Sequence, residues 1–233
     1  MRTQKKINTP SNSERIAMPK KAIVILAEGF EEIEAVTVID ILRRAGVEVA
    51  IAGLDGNKIR GSRDISVETD TIFKGSEQNF DACILPGGGL GAANLAASKK
   101  VKMFINQMHA DNKTIAAICA SPAVVLAPAG ILDNKSMTCY PGCESKLKNV
   151  RYKNEAVVID NNLITSQGPA TALAFALAIT EKLCGKTTAQ RIKKETLANL
   201  HYEQKSKPRV KYPGSKKKNR IIFHHTQQRL LIL

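Results

Sequence analysis

Apolar residues in this chain follow two rhythms. Short unbroken runs rich in β-branched residues occur at 21–27 (KAIVILA), 47–54 (VEVAIAGL), 81–86 (DACILP) and 114–118 (TIAAI). They read as strands buried on both faces, as parallel strands are. Between them the spacing changes to i, i+3, i+4, i+7. Residues 30–45 read as a helix with Gly46 at the C′ position. Residues 91–111 supply further helical material, and 123–132 follows the fourth strand as another helix. Residues 155–168 predict a hairpin turning at Asn161-Asn162. An apolar helix over 170–185 ends on a glycine, and an amphipathic one covers 187–200. Strands alternating with helices predict an α/β fold, a mostly parallel sheet with helices on both faces. Ligands in such sheets sit beyond the carboxyl ends of the strands. The ends predicted to converge are 28–30, 86–89 and 119–121.

The first helix carries the most information. Phe30, Ile33, Glu34, Thr37, Val38, Ile41, Leu42 and Ala45 fall on one stripe facing the core. Glu31 and Glu32 fall off it, but Glu34 lies within it. A carboxyl there is costly unless it is protonated or paired. Ala35, Val36 and Ile39 form a second apolar strip, which predicts a homodimer contact.

Charge divides the chain into three. Residues 1–19 carry a net +3 and residues 186–233 a net +11, while 20–185 hold eighteen basic and eighteen acidic residues. The expected organisation is a flexible extension over 1–19, one domain over 20–200, and a basic disordered tail over 201–233. The tail reads as a solvated segment, and contact with nucleic acid through counterion release is the alternative. The extension is basic, Ser-containing and nearly acid-free, and it lacks the apolar core of a secretory signal. The expected location is cytoplasmic, with organelle targeting by the extension as the alternative. No apolar run approaches the ~18 residues of a membrane span.

The five cysteines are Cys83, Cys119, Cys139, Cys143 and Cys184. An odd count without a secretory signal predicts reduced thiols rather than a disulfide framework. Cys139 and Cys143 have no CxxC or His pair beside them, so no metal site is expected. Only Cys119 ends a buried strand at a helix start, with Ser121 as the expected N-cap and Pro122 at the first helical position. A strained strand-to-helix bend projects such a side chain, and the helix N-terminus is expected to lower its pKa. Nucleophiles need a proton-handling partner. His109 is expected at the opposite edge of the sheet, and His201, His224 and His225 lie in or near the tail, so a Cys-His-Asp triad is not supported. Glu34 is the better partner, able to hydrogen-bond sulfur and shuttle a proton. Gly87, Gly88 and Gly89 end a neighbouring strand, where backbone N–H groups can approach a substrate oxyanion.

LAEGFEEIEAVTVIDILRRAGVEV, LPGGGLGAANL, AAICASPAVVLA and LITSQGPATALAFALAI together resemble the ThiJ/PfpI superfamily, most closely its DJ-one branch, over residues 20–200. The resemblance implies a flavodoxin-like three-layer sandwich like that of class I glutamine amidotransferases, and a homodimer. It matches Cys119 to the family's redox-sensitive nucleophile and Glu34 to its supporting glutamate. Gly87, Gly88 and Ala120 match the backbone donors near the thiol, and Arg63 matches an arginine reaching the site across the dimer. It also implies a cofactor-independent glyoxalase or deglycase acting on methylglyoxal and related dicarbonyl adducts, including glycated protein. A redox-sensing chaperone is the alternative reading. Tyr140 stands where some relatives carry histidine, and Ala120 stands where protease-like members carry one. Cys139 is expected to be a small buried residue, or else a resolving thiol for Cys119.

Overall fold

The fold is taken from a computed structural model, which describes residues 18–198. The expectations for 1–17 and for the basic tail lie outside these residues.

Strand β1 (Lys21–Leu26) is fully buried beyond its first residue. Its side chains alternate: Ala22, Val24 and Leu26 enter one apolar cluster, and Ile23 and Ile25 enter another. A strand buried on both faces cannot tolerate polar residues on either side, which is why KAIVILA lacks the alternation of a half-exposed strand. Each such aliphatic side chain contributes about 1.5–3 kcal/mol through removal from water.

Helix α1 (Glu32–Arg44) starts where the Glu31 carboxylate accepts the Glu34 N–H at 2.8 Å. Acidic residues occupy its first turn and Arg43 and Arg44 its last, complementing the helix dipole. Gly46, at φ 81°, closes it in the left-handed conformation that C′ glycine permits. The chain continues through β2 (Glu48–Gly53), β3 (Lys58–Arg60), β4 (Ser66–Glu68), β5 (Thr71–Ile72) and β6 (Ala82–Leu85). Then follow α2 (Gly89–Ala97), α3 (Lys99–Ala110) and β7 (Thr114–Ile118). After a π-helical turn over Pro122–Leu126 come β8 (Ser136–Met137), β9 (Arg151–Tyr152), β10 (Val157–Asp160), β11 (Leu163–Ser166), α4 (Ala172–Cys184) and α5 (Lys186–Glu195).

The main sheet has seven strands in the order β10-β11-β7-β6-β1-β2-β5. Only β10, paired antiparallel to β11 around Asn161, departs from parallel. Helices α1, α4 and α5 cover one face, and α2 and α3 the other. This is the predicted α/β sandwich of flavodoxin-like type.

Three local expectations are corrected. Residues 123–132 are not one α-helix, because the π-helical turn gives way to successive turns after Leu126. Ile33, placed on the core stripe by spacing, is exposed. Ala35 and Ile39, assigned to an outer strip, are buried. The cause of the last two is that α1 packs against α4 as well as the sheet, which rotates its buried face. Ile33 and Val36 remain exposed, one turn apart.

Candidate active site

β1, β6 and β7 are neighbours in the sheet, so their carboxyl ends meet at one edge. Short backbone bonds stitch the loops beyond them together. The Glu31 N–H donates to Gly87 O at 3.1 Å, and the Gly91 N–H donates to Gly29 O at 3.1 Å. The Ser121 hydroxyl donates to Pro86 O at 2.6 Å. That bond corrects the expected N-cap role of Ser121, whose oxygen accepts no helix N–H and instead clamps β7 to β6.

Cys119 lies at the end of β7 with φ 63°, a left-handed conformation costing a non-glycine residue about 1–2 kcal/mol. The bend has a directional consequence. Ile118 faces the α1 side of the sheet, so strict alternation would send the next side chain to the opposite side. Cys119 nevertheless joins the α1 cluster, bringing its thiol to Glu34. Its backbone is held at both ends, by Cys119 N–H to Ser166 O at 3.0 Å and by Tyr140 N–H to Cys119 O at 2.8 Å.

Glu34 is completely buried. The Gly87 N–H donates to its Oε2 at 2.7 Å, while Oε1 lies buried without a partner of ordinary hydrogen-bond geometry. Burial pushes the carboxyl up to about 7, with the Glu31 charge adding to the rise and the Gly87 N–H and Cys119 thiol opposing it. The Cys119 thiol is pushed up to about 12, first by burial and then by the Glu34 charge, against hydrogen bonds from the Gly88 and Ala120 N–H groups. The expectation that the helix start would lower this thiol is therefore corrected. The two donors are present, but burial and the neighbouring carboxylate outweigh them. Glu34 and Cys119 behave as one coupled acid that holds a single proton between the two limits. With that proton on Glu34, the sulfur is a thiolate beside the neutral carboxyl and the Gly88 and Ala120 N–H groups.

The glycines are fitted closely. A Cβ on Gly87 would stand 2.5 Å from Cys119 Cβ and 2.8 Å from Glu34 Oε2. Gly88 adopts φ 89°, in the region glycine favours.

Of the residues singled out in the sequence, Cys119, Glu34, Gly87, Gly88 and Ala120 come together. Arg63 does not join them within one chain, since its guanidinium is exposed and bonds Ser62 O at 3.0 Å. His109 ends α3, which leads into the opposite end of β7. Tyr140 is half-exposed, its ring 3.5 Å from where a Cβ on Gly168 would stand. Cys139 is fully buried in the cluster on the α2–α3 side, the face away from Cys119.

Sequence reasoning missed Glu32. It is buried, accepting the Arg63 N–H at 2.6 Å and the Ser62 hydroxyl at 3.1 Å. Burial alone would raise its carboxyl, but these bonds bring it below its ordinary value. Its partners lie 30 and 31 positions away, where helical periodicity has no reach.

Among the described residues, no group of three His, Cys, Asp or Glu side chains is placed to hold a metal ion. No helix among them is long and apolar enough to cross a membrane. A groove of about 660 Å³ between α4 and α5 includes neither Cys119 nor Glu34.

A flavodoxin-like sandwich with a strained cysteine at a strand end, a buried carboxyl beside it and glycine amides around both defines a class of cysteine-centred α/β proteins. Comparison with known proteins narrows the class: the DJ-1/PfpI family pattern matches residues 20–182, and the chain belongs to that family. It is 42% identical over 184 residues to protein dj-1beta of Drosophila melanogaster, covering 77% of this chain and 98% of that one. Protein DJ-1 homolog B of Arabidopsis thaliana is 42% identical over 178 residues, which are 75% of this chain but only 40% of the plant protein. The glutathione-independent glyoxalase DJ-1 of Schizosaccharomyces pombe is 32% identical over 178 residues, covering 71% of this chain and 92% of that one. The crystal structure of Drosophila DJ-1beta superposes with a TM-score of 0.74, at 43% identity over 77% of this chain and 98% of that one. An oxidized Toxoplasma gondii DJ-1 does so with a TM-score of 0.74, at 37% identity over 76% and 98%.

Proposed function

We propose that this protein is a cofactor-independent glyoxalase that converts methylglyoxal and related 2-oxoaldehydes to 2-hydroxy acids. The observation that carries the reading is the Glu34–Cys119 pair: a buried carboxyl that holds a proton near neutral pH, against a sulfur between two N–H donors. The glyoxalase name of the 32%-identical fission yeast relative supports the same reaction class.

The Cys119 sulfur adds to the aldehyde carbon, and Glu34 delivers a proton to the new alkoxide, giving a hemithioacetal. Glu34, now a carboxylate, removes the hydrogen on that carbon and returns it to the neighbouring carbon as the ketone becomes an alcohol. The Gly88 and Ala120 amides stabilise the oxyanion that develops between these steps. The product is a thioester on Cys119. Water cleaves it, releasing the 2-hydroxy acid and restoring the thiol. Substrate, water and this chain's own groups balance the reaction. The same addition to early dicarbonyl adducts on protein side chains gives a deglycase, and both activities suit protection against carbonyl stress in the cytoplasm. We read exposed Ile33 and Val36 as part of a homodimer contact, with Arg63 serving the neighbouring copy's site.

The test is lactate formation from methylglyoxal without glutathione, comparing wild type with Cys119→Ser. Cysteine-dependent turnover is expected, and folded wild-type protein that makes no lactate overturns the reading. The second reading is a redox-sensing chaperone switched by oxidation of Cys119, and the oxidized Toxoplasma structure favours it. Peroxide titration with mass spectrometry separates the two, since that reading requires oxidation concentrated at Cys119.

A further inference from the structure

We propose that Cys139 and Cys143 form a second redox site, a dithiol that closes into a disulfide within its own loop and does not involve Cys119. All five cysteines are free thiols, and these two are the pair closest in sequence. The chain between them folds back on itself. The Cys143 N–H donates to Tyr140 O at 3.0 Å, and Gly142 takes the left-handed conformation at φ 95°. Both side chains pack into the same apolar cluster, Cys139 fully buried within it and Cys143 against its edge. Cys119 lies in the cluster on the opposite face. Charge on Cys143 raises the Cys139 thiol more than charge on Cys119 does, after burial itself.

The loop also holds a proton acceptor. The Cys139 thiol points at Glu144 Oε2 over 4.0 Å, and the Gly142 N–H anchors the same oxygen at 2.7 Å. Cys143, the more accessible thiol, is the entry point for a small-molecule disulfide RSSR. Its sulfur attacks one sulfur of RSSR, forming a mixed disulfide and releasing one RS⁻, which takes up the Cys143 proton. Cys139 then attacks the Cys143 sulfur, its proton passing to Glu144, and the second RS⁻ leaves and is protonated in turn. Two protein thiols are oxidised to one disulfide, and RSSR is reduced to two RSH. Burial raises both thiols, so closure is slow and driven by proximity rather than by thiolate reactivity. The loop matters to the candidate active site because Tyr140, inside the ring, donates its N–H to the Cys119 carbonyl. The inference does not depend on the glyoxalase reading.

Tryptic cleavage after Lys135 and Lys146 isolates both thiols in one peptide, 136–146, which contains no other cysteine, while peptide 114–135 carries Cys119 alone. The full chain is incubated with oxidised glutathione, denatured, alkylated and digested. Peptide 136–146 is expected to be lighter by two hydrogens and unalkylated, in wild type and in Cys119→Ser alike. In Cys143→Ser the same peptide is expected to be alkylated at Cys139. The proposal is overturned if wild-type 136–146 carries two alkylated thiols or glutathione on Cys143. It is equally overturned if that peptide is joined to 114–135, which would make Cys139 the partner of Cys119.

Discussion

Gly87 and Glu34 lie 53 positions apart, yet the Gly87 N–H donates to Glu34 Oε2 at 2.7 Å with no room between them for a methyl group. A Cβ on Gly87 would press on that oxygen and on Cys119 Cβ together. Gly87→Ala is therefore expected to cost about 1–3 kcal/mol of stability through overpacking. It is expected to lower kcat/KM by about 10²-fold, because it spreads the carboxyl and sulfur apart. Steady-state kinetics beside thermal unfolding checks this, and a variant with wild-type turnover would show that the close fit is irrelevant to chemistry.

Glu34 destabilises the fold at neutral pH. In the unfolded chain its carboxyl ionises near 4.5, and in the folded protein near 7. Below 4.5 both states hold the proton and no penalty exists. As pH rises from 4.5 to 7 the unfolded state releases it first, and stability falls by about 3 kcal/mol. Glu34→Gln keeps an oxygen for the Gly87 N–H and cannot ionise. It is expected to lose activity and to be more stable than wild type above neutrality, with the difference vanishing in acid. Urea unfolding at several pH values measures this directly.

The same pair sets the pH profile of the proposed reaction. Activity requires the first proton to leave the Glu34–Cys119 pair, so kcat/KM is expected to rise about tenfold per pH unit below 7 and level off above it. A profile flat through neutrality would remove Glu34 from proton transfer.

Glu32 is a test of positioning. Glu32→Ala leaves the Arg63 N–H and the Ser62 hydroxyl without their acceptor. A loss of about 2 kcal/mol is expected. Because its carboxyl lies below the ordinary value, this contribution is present at neutral pH and fades in acid. If Arg63 serves the site, KM is expected to rise more than kcat falls. An unchanged KM would separate the Ser62–Arg63 turn from substrate binding.

The sheet was legible because a doubly buried strand leaves an unmistakable apolar run, and β1, β2, β6 and β7 all have one. Cys119 and Glu34 were legible because each breaks a local rule: a thiol at a strand-to-helix corner and a carboxylate on an apolar stripe. What remained hidden depends on contacts distant in sequence. Ile33 and Ala35 exchange inside and outside because α4, some 140 residues away, sets the orientation of α1. Ser121 abandons its capping role because Pro86 O lies within reach only after β6 and β7 pair. The direction of the Cys119 shift was hidden for the same reason, since it is decided by burial and a carboxylate that only the fold brings near.

The backbone of Cys119 is gripped by Ser166 O and by the Tyr140 N–H, both contributed by chain that is synthesised later. A left-handed cysteine has no local reason to persist, so a nascent chain ending before β11, which lacks the Ser166 acceptor, is expected to let this residue relax to an ordinary extended conformation. The reactive geometry is thus among the last features to be assembled, and an incomplete chain carries an unremarkable thiol. Timed alkylation of chains truncated before Leu163 would reveal an early-formed site as reactivity matching that of the full protein.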